Sequence, residues 1–186
     1  GATAAVDVRQ TNVDLIAARL QQLAQPGDFI LVDQWYNGTT FGRYFTGKTP
    51  WNTLPPLADK TLQRLDQFKE YMVQPGPTDP VERQIADTLR SGNRVWVAGG
   101  LPIPKKGAQV VDLPPAPNSR FGWDHDVYSY VWALQAASIL QERADQVARI
   151  ELPLDNAVNK CENLPLWVAQ GWRENKPASA VVTDRR

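Results

Sequence analysis

The sequence predicts an α/β fold: a three-layer, Rossmann-like α/β/α sandwich on a mostly parallel sheet of about five strands, with one or two antiparallel strands at its edges. Two observations carry this expectation. An amphipathic stretch, a turn and a short apolar run follow one another twice, over Thr11–Asp33 and over Asp79–Ala98. That order is the signature of helices alternating with buried parallel strands. The composition also permits a real core, since 42% of the 186 residues are apolar and 22% are charged, as in ordinary globular domains rather than disordered chains.

The first helix is predicted over Thr11–Gln25, where Val13, Ile16, Ala17, Leu20, Leu23 and Ala24 recur at helical spacing between polar residues. Thr11 or Asn12 can cap it, and Pro26-Gly27 stops it. Asp28–Asp33 is a continuous apolar run bounded by acids, as in a central strand covered on both faces. Trp35–Pro56 is dense in aromatics, Gly, Thr, Asn and Pro and reads as a long structured loop with a short strand near Thr49–Leu54. Asp59–Met72 returns to helical spacing through Leu62, Leu65, Phe68 and Met72.

Asp79-Pro80-Val81-Glu82 combines a capping Asp, an early Pro and a Glu three residues on, so a helix should start there and end at Gly92. Val95–Ala98 is the second buried strand. Leu101–Ser119 is rich in Pro, with a short edge strand expected at Gln109–Leu113. Asp124–Val147 reads as the longest helix, capped by Asp124 and apolar through Val127, Val131, Leu134, Ile139 and Leu140. Arg149–Leu154 and Leu164–Trp172 each add a strand, which Pro153 and Pro165 push towards sheet edges or strand ends. A single domain over residues 11–173 is expected, preceded by a flexible segment (1–10) and followed by a tail (174–186).

Twenty basic residues balance twenty acidic ones, so no electrostatic footprint for nucleic acid is present. Cys161 and His125 are the chain's single cysteine and histidine. They exclude an internal disulfide and a structural zinc site. No run reaches the roughly 18 apolar residues that a spanning helix needs. Gly1 in place of an initiator Met suggests a domain cut from a longer chain, whose targeting or membrane segments lie upstream.

Gly42–Thr49 fits G-x-x-x-x-G-K-[ST], the nucleotide phosphate loop. That chemistry needs a strand, a tight loop and then a helix whose N-terminus faces the phosphates. Pro50 follows Thr49 at once and forbids the helix, and eight residues separate Asp33 from Gly42. A coincidence of letters is the better reading, with a phosphate-using enzyme built on Gly42–Thr49 as the alternative. Asn37-Gly38-Thr39 matches an N-glycosylation acceptor but also makes a common turn.

Asp33, Trp35, Tyr36, Asn37, Arg43, Tyr44 and Trp51 form the leading candidate ligand site. Aromatic faces beside polar groups suit sugars or lipid headgroups, and α/β folds bind ligands on loops at strand ends. The competing reading is that these rings pack the loop onto the sheet, or form a protein interface. Trp123, Asp124, His125 and Asp126 are a second candidate, a carboxylate pair around the histidine, which also serves as a negatively charged first helical turn. Gly99-Gly100 suits close ligand approach, but no dinucleotide fingerprint follows and no motif calls for a cofactor or metal.

The order Thr11-Asn12-Val13-Asp14, Pro26-Gly27-Asp28, Trp35-Tyr36, Gly38, Phe41, Arg43-Tyr44, Pro50-Trp51, Thr53-Leu54-Pro55-Pro56, Arg64, Asp66 and Arg94-Val95-Trp96-Val97 resembles the C-terminal extracytoplasmic region of multi-spanning bacterial membrane proteins similar to the dolichyl-phosphate-mannose–protein mannosyltransferase family. The likeness covers about residues 10–100 and returns thinly in Glu162-Asn163-Leu164-Pro165-Leu166 and Gly171-Trp172-Arg173. It implies a periplasmic domain tethered to the inner membrane by segments absent from this chain. Its partners would be the transmembrane part of the same polypeptide and a glycan or lipid-linked sugar. The family's catalytic acids lie between early membrane helices, so none carries over. The expected function is therefore a non-catalytic accessory or ligand-binding domain of a membrane glycosyltransferase that uses a polyprenyl-phosphate sugar.

Overall fold

The computed structural model describes residues 8–105, 108–153, 157–160 and 162–174. Cys161, most of the expected flexible segment 1–10 and nearly all of the tail 174–186 lie outside the described residues. The elements run α1 (Val13–Leu23), β1 (Phe29–Val32), α2 (Asn37–Tyr44), β2 (Trp51–Thr53), α3 (Leu65–Met72), α4 (Asp79–Arg90), β3 (Val95–Ala98), α5 (His125–Arg143), β4 (Gln146–Ile150) and β5 (Leu166–Gln170). They form a mixed α/β fold on one open five-stranded sheet in the order β2-β1-β3-β5-β4.

β1 pairs in parallel with β2 and β3, β5 is antiparallel to β3, and β4 is antiparallel to β5. Four strands therefore point one way and only β5 opposes them. The expected antiparallel strand at an edge is instead the fourth of five. Its place follows from the chain path: β4 takes the outer edge, and the return from Ile150 brings β5 back between β4 and β3, Ile150 pairing with Leu166 and Val95 with Ala169.

β1 and β3 are buried at every residue, as their unbroken apolar runs require. Alternate side chains feed two clusters. Phe29, Leu31, Val95 and Val97 pack with α3, α4 and α5 through Phe68, Ile85 and Trp132. Ile30, Val32, Trp96 and Ala98 pack with α1 and α2 through Ile16, Leu20 and Phe41. Beneath the strands, the buried Asp28 ties β1 to β3. Its carboxylate accepts from Gln25 N, Arg94 N and Trp96 Nε1 at 3.0, 2.9 and 3.0 Å, and pairs with the Arg94 guanidinium at 2.9 Å. Burial works against the charge, but these bonds outweigh it and hold the Asp28 carboxyl below its ordinary value.

Several expectations are corrected. The long loop Trp35–Pro56 contains a helix, α2, despite the weak helix formers Asn37, Gly38, Thr39, Thr40 and Gly42. Docking overrides propensity there. Phe41 is fully buried and stacks on Phe45 at 5.0 Å, edge-on to Trp51 at 5.1 Å. Gly38 allows the close approach, since a Cβ there would meet Thr53 Cγ2 at 2.5 Å. α3 begins at Leu65 rather than Asp59. Asp59 instead accepts from Thr61 N and Oγ1 and pairs with Arg64, closing a local turn in place of a helical one.

The cap of α4 is Thr78, not Asp79, and its hydroxyl bonds Glu82 Oε1 at 2.8 Å. α5 does start on its predicted cap, Asp124, which accepts from Asp126 N at 3.2 Å. It ends at Arg143 rather than Val147, because Ala144 turns extended and leads into β4. Its buried stripe is Tyr128, Trp132, Ala133, Ala136, Ala137 and Leu140, whereas Val127, Val131, Leu134 and Ile139 are only half-buried. Bulky rings above alanines let this face sit close, with Trp132 on Phe68 at 5.1 Å.

No strand forms at Gln109–Leu113. That segment lies along α5, where Asp112 accepts from Gln135 Nε2 at 2.6 Å, and Ala116 N donates to Met72 O just beyond it. The strand expected over Arg149–Leu154 is β4, which starts earlier and ends at Ile150, and residue 154 lies outside the described residues. No helix among the described residues is long and apolar enough to cross a membrane.

Candidate functional site

The sheet topology makes a crevice before any side chain is considered. From β1 the chain passes into α2 on one face, and from the neighbouring β3 it runs towards α5, which packs on the other. Connections that diverge from the carboxyl ends of adjacent parallel strands leave a crevice between them, where open α/β sheets bind ligands. A cavity of about 460 Å³ lies at this point. Asp33, Gln34, Trp35 and Tyr36 after β1 form one wall, Gly100, Leu101 and Pro102 after β3 another, and Asp126, Ser129, Tyr130 and Ala133 of α5 the third.

One bond and one close packing join the segments that leave β1 and β3, and a second bond ties the end of β3 to the segment before β5. Asp33 N donates to Ala98 O at 3.0 Å, and Gly99 N donates to Pro165 O at 2.9 Å. Gly99 has φ +139, a conformation that favours glycine, and a Cβ there would overlap the Asp33 carbonyl oxygen. The Asp33–Gln34 peptide is cis.

Asp33 itself is 4% exposed, and its Oδ1 has no hydrogen-bond partner within the protein. Burial pushes its carboxyl up to about 7, because nothing nearby compensates a negative charge. Trp35 and Tyr36 meet at 77° with centroids 5.8 Å apart. Trp35 also packs on Phe68 at 5.3 Å, so this ring belongs to the core and to the wall alike. Tyr36 and Tyr130 are 37% and 59% exposed, leaving ring surface for a ligand, and the Tyr36 hydroxyl bonds the Gln34 side chain.

The structure divides the first candidate set. Asp33, Trp35 and Tyr36 line the crevice, and Asn37 is buried in the opening turn of α2. α2 then runs back along the sheet and carries Arg43 and Tyr44 to the other end, both exposed. The loop after them is anchored beside the start of β1: Thr46 N and Oγ1 donate to Gln21 Oε1 at 2.7 and 2.8 Å, and Thr49 Oγ1 donates to Gln25 O at 3.0 Å. Trp51 opens β2 opposite Ile30 and packs against Phe41, with the Lys60 ammonium 5.0 Å above its ring. Arg43, Tyr44 and Trp51 thus lie apart from Asp33.

Gly42–Thr49 begins in the last turn of α2 and leads into β2, the reverse of the order a phosphate loop requires. Of the second set, Asp126 joins the crevice. His125 Nε2 lies 3.3 Å from Asp126 Oδ1, its ring edge-on to Phe68 at 6.0 Å. Asp124 is occupied as the cap of α5, and Trp123 is exposed beneath the Lys69 ammonium at 5.8 Å.

Gln34, Leu101, Pro102, Ser129, Tyr130 and Ala133 join the crevice without having been singled out. A signal for Tyr130 existed: it stands one helical turn beyond Asp126. A second cavity, about 540 Å³, lies between α4, α5 and residues 110–115. It is the larger of the two, yet its Glu82 and Asp112 are already bonded to Thr78 and Gln135. Among the described residues no cluster of three or more His, Cys, Asp or Glu is placed to hold a metal. Compared with known proteins, the chain matches no family model, no curated protein and no solved structure.

Proposed function

We propose that this chain is a ligand-binding domain that holds a glycan in the crevice between the ends of β1 and β3 and performs no chemistry on it. The observation that carries this reading is the crevice wall: two rings at near right angles, a third across from them, and a buried carboxyl oxygen without a partner in the protein. Apolar ring faces with a few convergent polar groups suit a polyol, and about 460 Å³ lies in the usual range for small-ligand clefts. Asp126 is open to solvent rather than set against Asp33 in a shared proton site.

In this proposal the domain is the accessory, extracytoplasmic part of a membrane glycosyltransferase that uses a polyprenyl-phosphate sugar. It faces the periplasm and is tethered by transmembrane segments of the same polypeptide. The resemblance over residues 10–100 supports that setting. A three-layer, Rossmann-like arrangement belongs to the same proposal, supported by the two core clusters on opposite strand faces.

The test is titration of the purified chain with mannose- and glucose-containing oligosaccharides, followed by amide chemical shifts. Shifts confined to residues 33–36, 99–102 and 126–133, lost in Tyr130→Ala, are expected. Turnover of a polyprenyl-phosphate sugar by this chain alone, or saturable shifts elsewhere, would overturn the reading.

A further inference from the structure

We infer that the crevice selects a ligand carrying a protonated amine, seated on the Trp35–Tyr36 corner with Asp33 as its buried counter-ion. This rests on the crevice being the ligand site and names the class of glycan it prefers, an amino sugar.

Four observations converge. Asp33, 4% exposed, is among the residues that line the cavity, and its buried Oδ1 has no partner within the protein. A buried carboxylate without compensation is costly, and a group that brings both charge and N–H donors relieves that cost best. Trp35 and Tyr36 make an aromatic corner at 77°, with Tyr130 across the opening. Ring faces set at an angle are the means by which proteins hold ammonium groups. A second carboxylate, Asp126, stands at the rim. Finally, the charged side chains among the described lining residues are Asp33 and Asp126 alone, with no Lys or Arg to answer a phosphate or carboxylate.

The helix ends that usually draw anions to such crevices are blunted here. Asn37 N and Gly38 N at the start of α2 donate to Gln34 O and Trp35 O. Asp124 caps α5, and Asp126 adds negative charge to its first turn. Asp33 shares the cavity wall with Gln34, Trp35 and Tyr36 from its own segment, the uncharged Gly100–Pro102 after β3, and Asp126 and Tyr130 from α5. Amine binding would therefore compete with the proton that Asp33 carries in the empty site, and preference for amines should grow as the pH rises.

The test uses two matched pairs on the full chain: 6-amino-6-deoxyglucose against glucose, and cyclohexylamine against cyclohexanol. Each pair differs in amine against hydroxyl. Both amines should bind about tenfold or more tightly than their partners at pH 8, with the gap narrowing to a few-fold at pH 5.5. Asp33→Asn should erase the preference. Without any substitution, ¹³C titration of the Asp33 carboxyl should show its ionisation moving to lower pH when cyclohexylamine is bound.

Asp126→Asn, at an exposed position, should weaken the preference without touching the fold. Equal binding of amino sugar and glucose sinks this inference and leaves the glycan reading standing. Binding of cyclohexylamine with neither sugar bound keeps the amine preference and removes the glycan. No binding of either amine overturns the inference outright.

Discussion

Gly99 packs directly against the backbone of Asp33, so closely that a β-carbon at residue 99 would occupy the Asp33 carbonyl oxygen. The contact joins the segments that leave β1 and β3, which continue into two walls of the crevice. Gly99→Ala should fail twice, through the unfavourable φ of +139 and through displacement of Asp33. The backbone conformation alone costs about 1–3 kcal/mol, and the clash adds to it. Urea unfolding should show at least that loss, with the largest amide shifts at residues 33–36. A variant as stable as the parent would mean that the two loops can separate freely.

Asp33 should make stability fall as the pH rises. In the unfolded chain its carboxyl ionises near 3.8, and in the folded chain at about 7. Below 3.8 both states carry the proton and the folded protein keeps its full stability. Between the two values the unfolded state ionises while the native state must hold its proton, so stability is lost until the pH passes about 7. About three units at ~1.4 kcal/mol each set an order of magnitude of 4 kcal/mol. Asp33→Asn should flatten the profile between pH 4 and 7. Unfolding measured across that window with both proteins decides it, and parallel profiles would show that Asp33 ionises normally.

How far these features could be read in advance depended on where their energy comes from. β1 and β3 were legible because Phe29–Val32 and Val95–Ala98 are unbroken apolar runs between polar stops. α2 was not, because Asn37-Gly38-Thr39-Thr40 disfavours a helix and its stability comes from seating Gly38 and Phe41 against β2. Missing α2 also misplaced part of the site. Arg43 and Tyr44 are near Asp33 in sequence, but α2 reverses the chain and carries them away from it in space. Asp33, Trp35 and Tyr36 stayed together because they follow the strand within one turn. The union of that group with Asp126 depends on α5 crossing the strand ends, which no local pattern encodes.

Asp28 should respond to pH with the opposite sign. Its folded carboxyl sits below the ordinary value, since four donors outweigh its burial. Its contribution is therefore present above the unfolded value of 3.8 and is lost as the pH falls through the lower folded value. Asp28→Asn keeps the shape but loses the charge and leaves Arg94 partly buried without its partner. A cost of about 2–4 kcal/mol is expected. Acid unfolding should begin at higher pH than in the parent, by circular dichroism. An unchanged acid midpoint would show that the Arg94–Trp96 cluster is held by packing alone.

Lys48 separates a pattern of letters from a working loop. In a phosphate loop this lysine contacts the phosphates, and its replacement abolishes nucleotide binding. Here it is exposed on a segment that joins α2 to β2, with Phe45 tucked so close to Gly47 that a Cβ there would meet the ring at 2.6 Å. Pro50 follows Thr49, so no helix N-terminus stands behind Lys48 and Thr49 to face a phosphate. Lys48→Ala should change stability by no more than about 0.5 kcal/mol, and neither protein should show a thermal shift with magnesium ATP or GTP. Saturable nucleotide binding by the parent that disappears in Lys48→Ala would restore the nucleotide reading and displace the crevice as the proposed site.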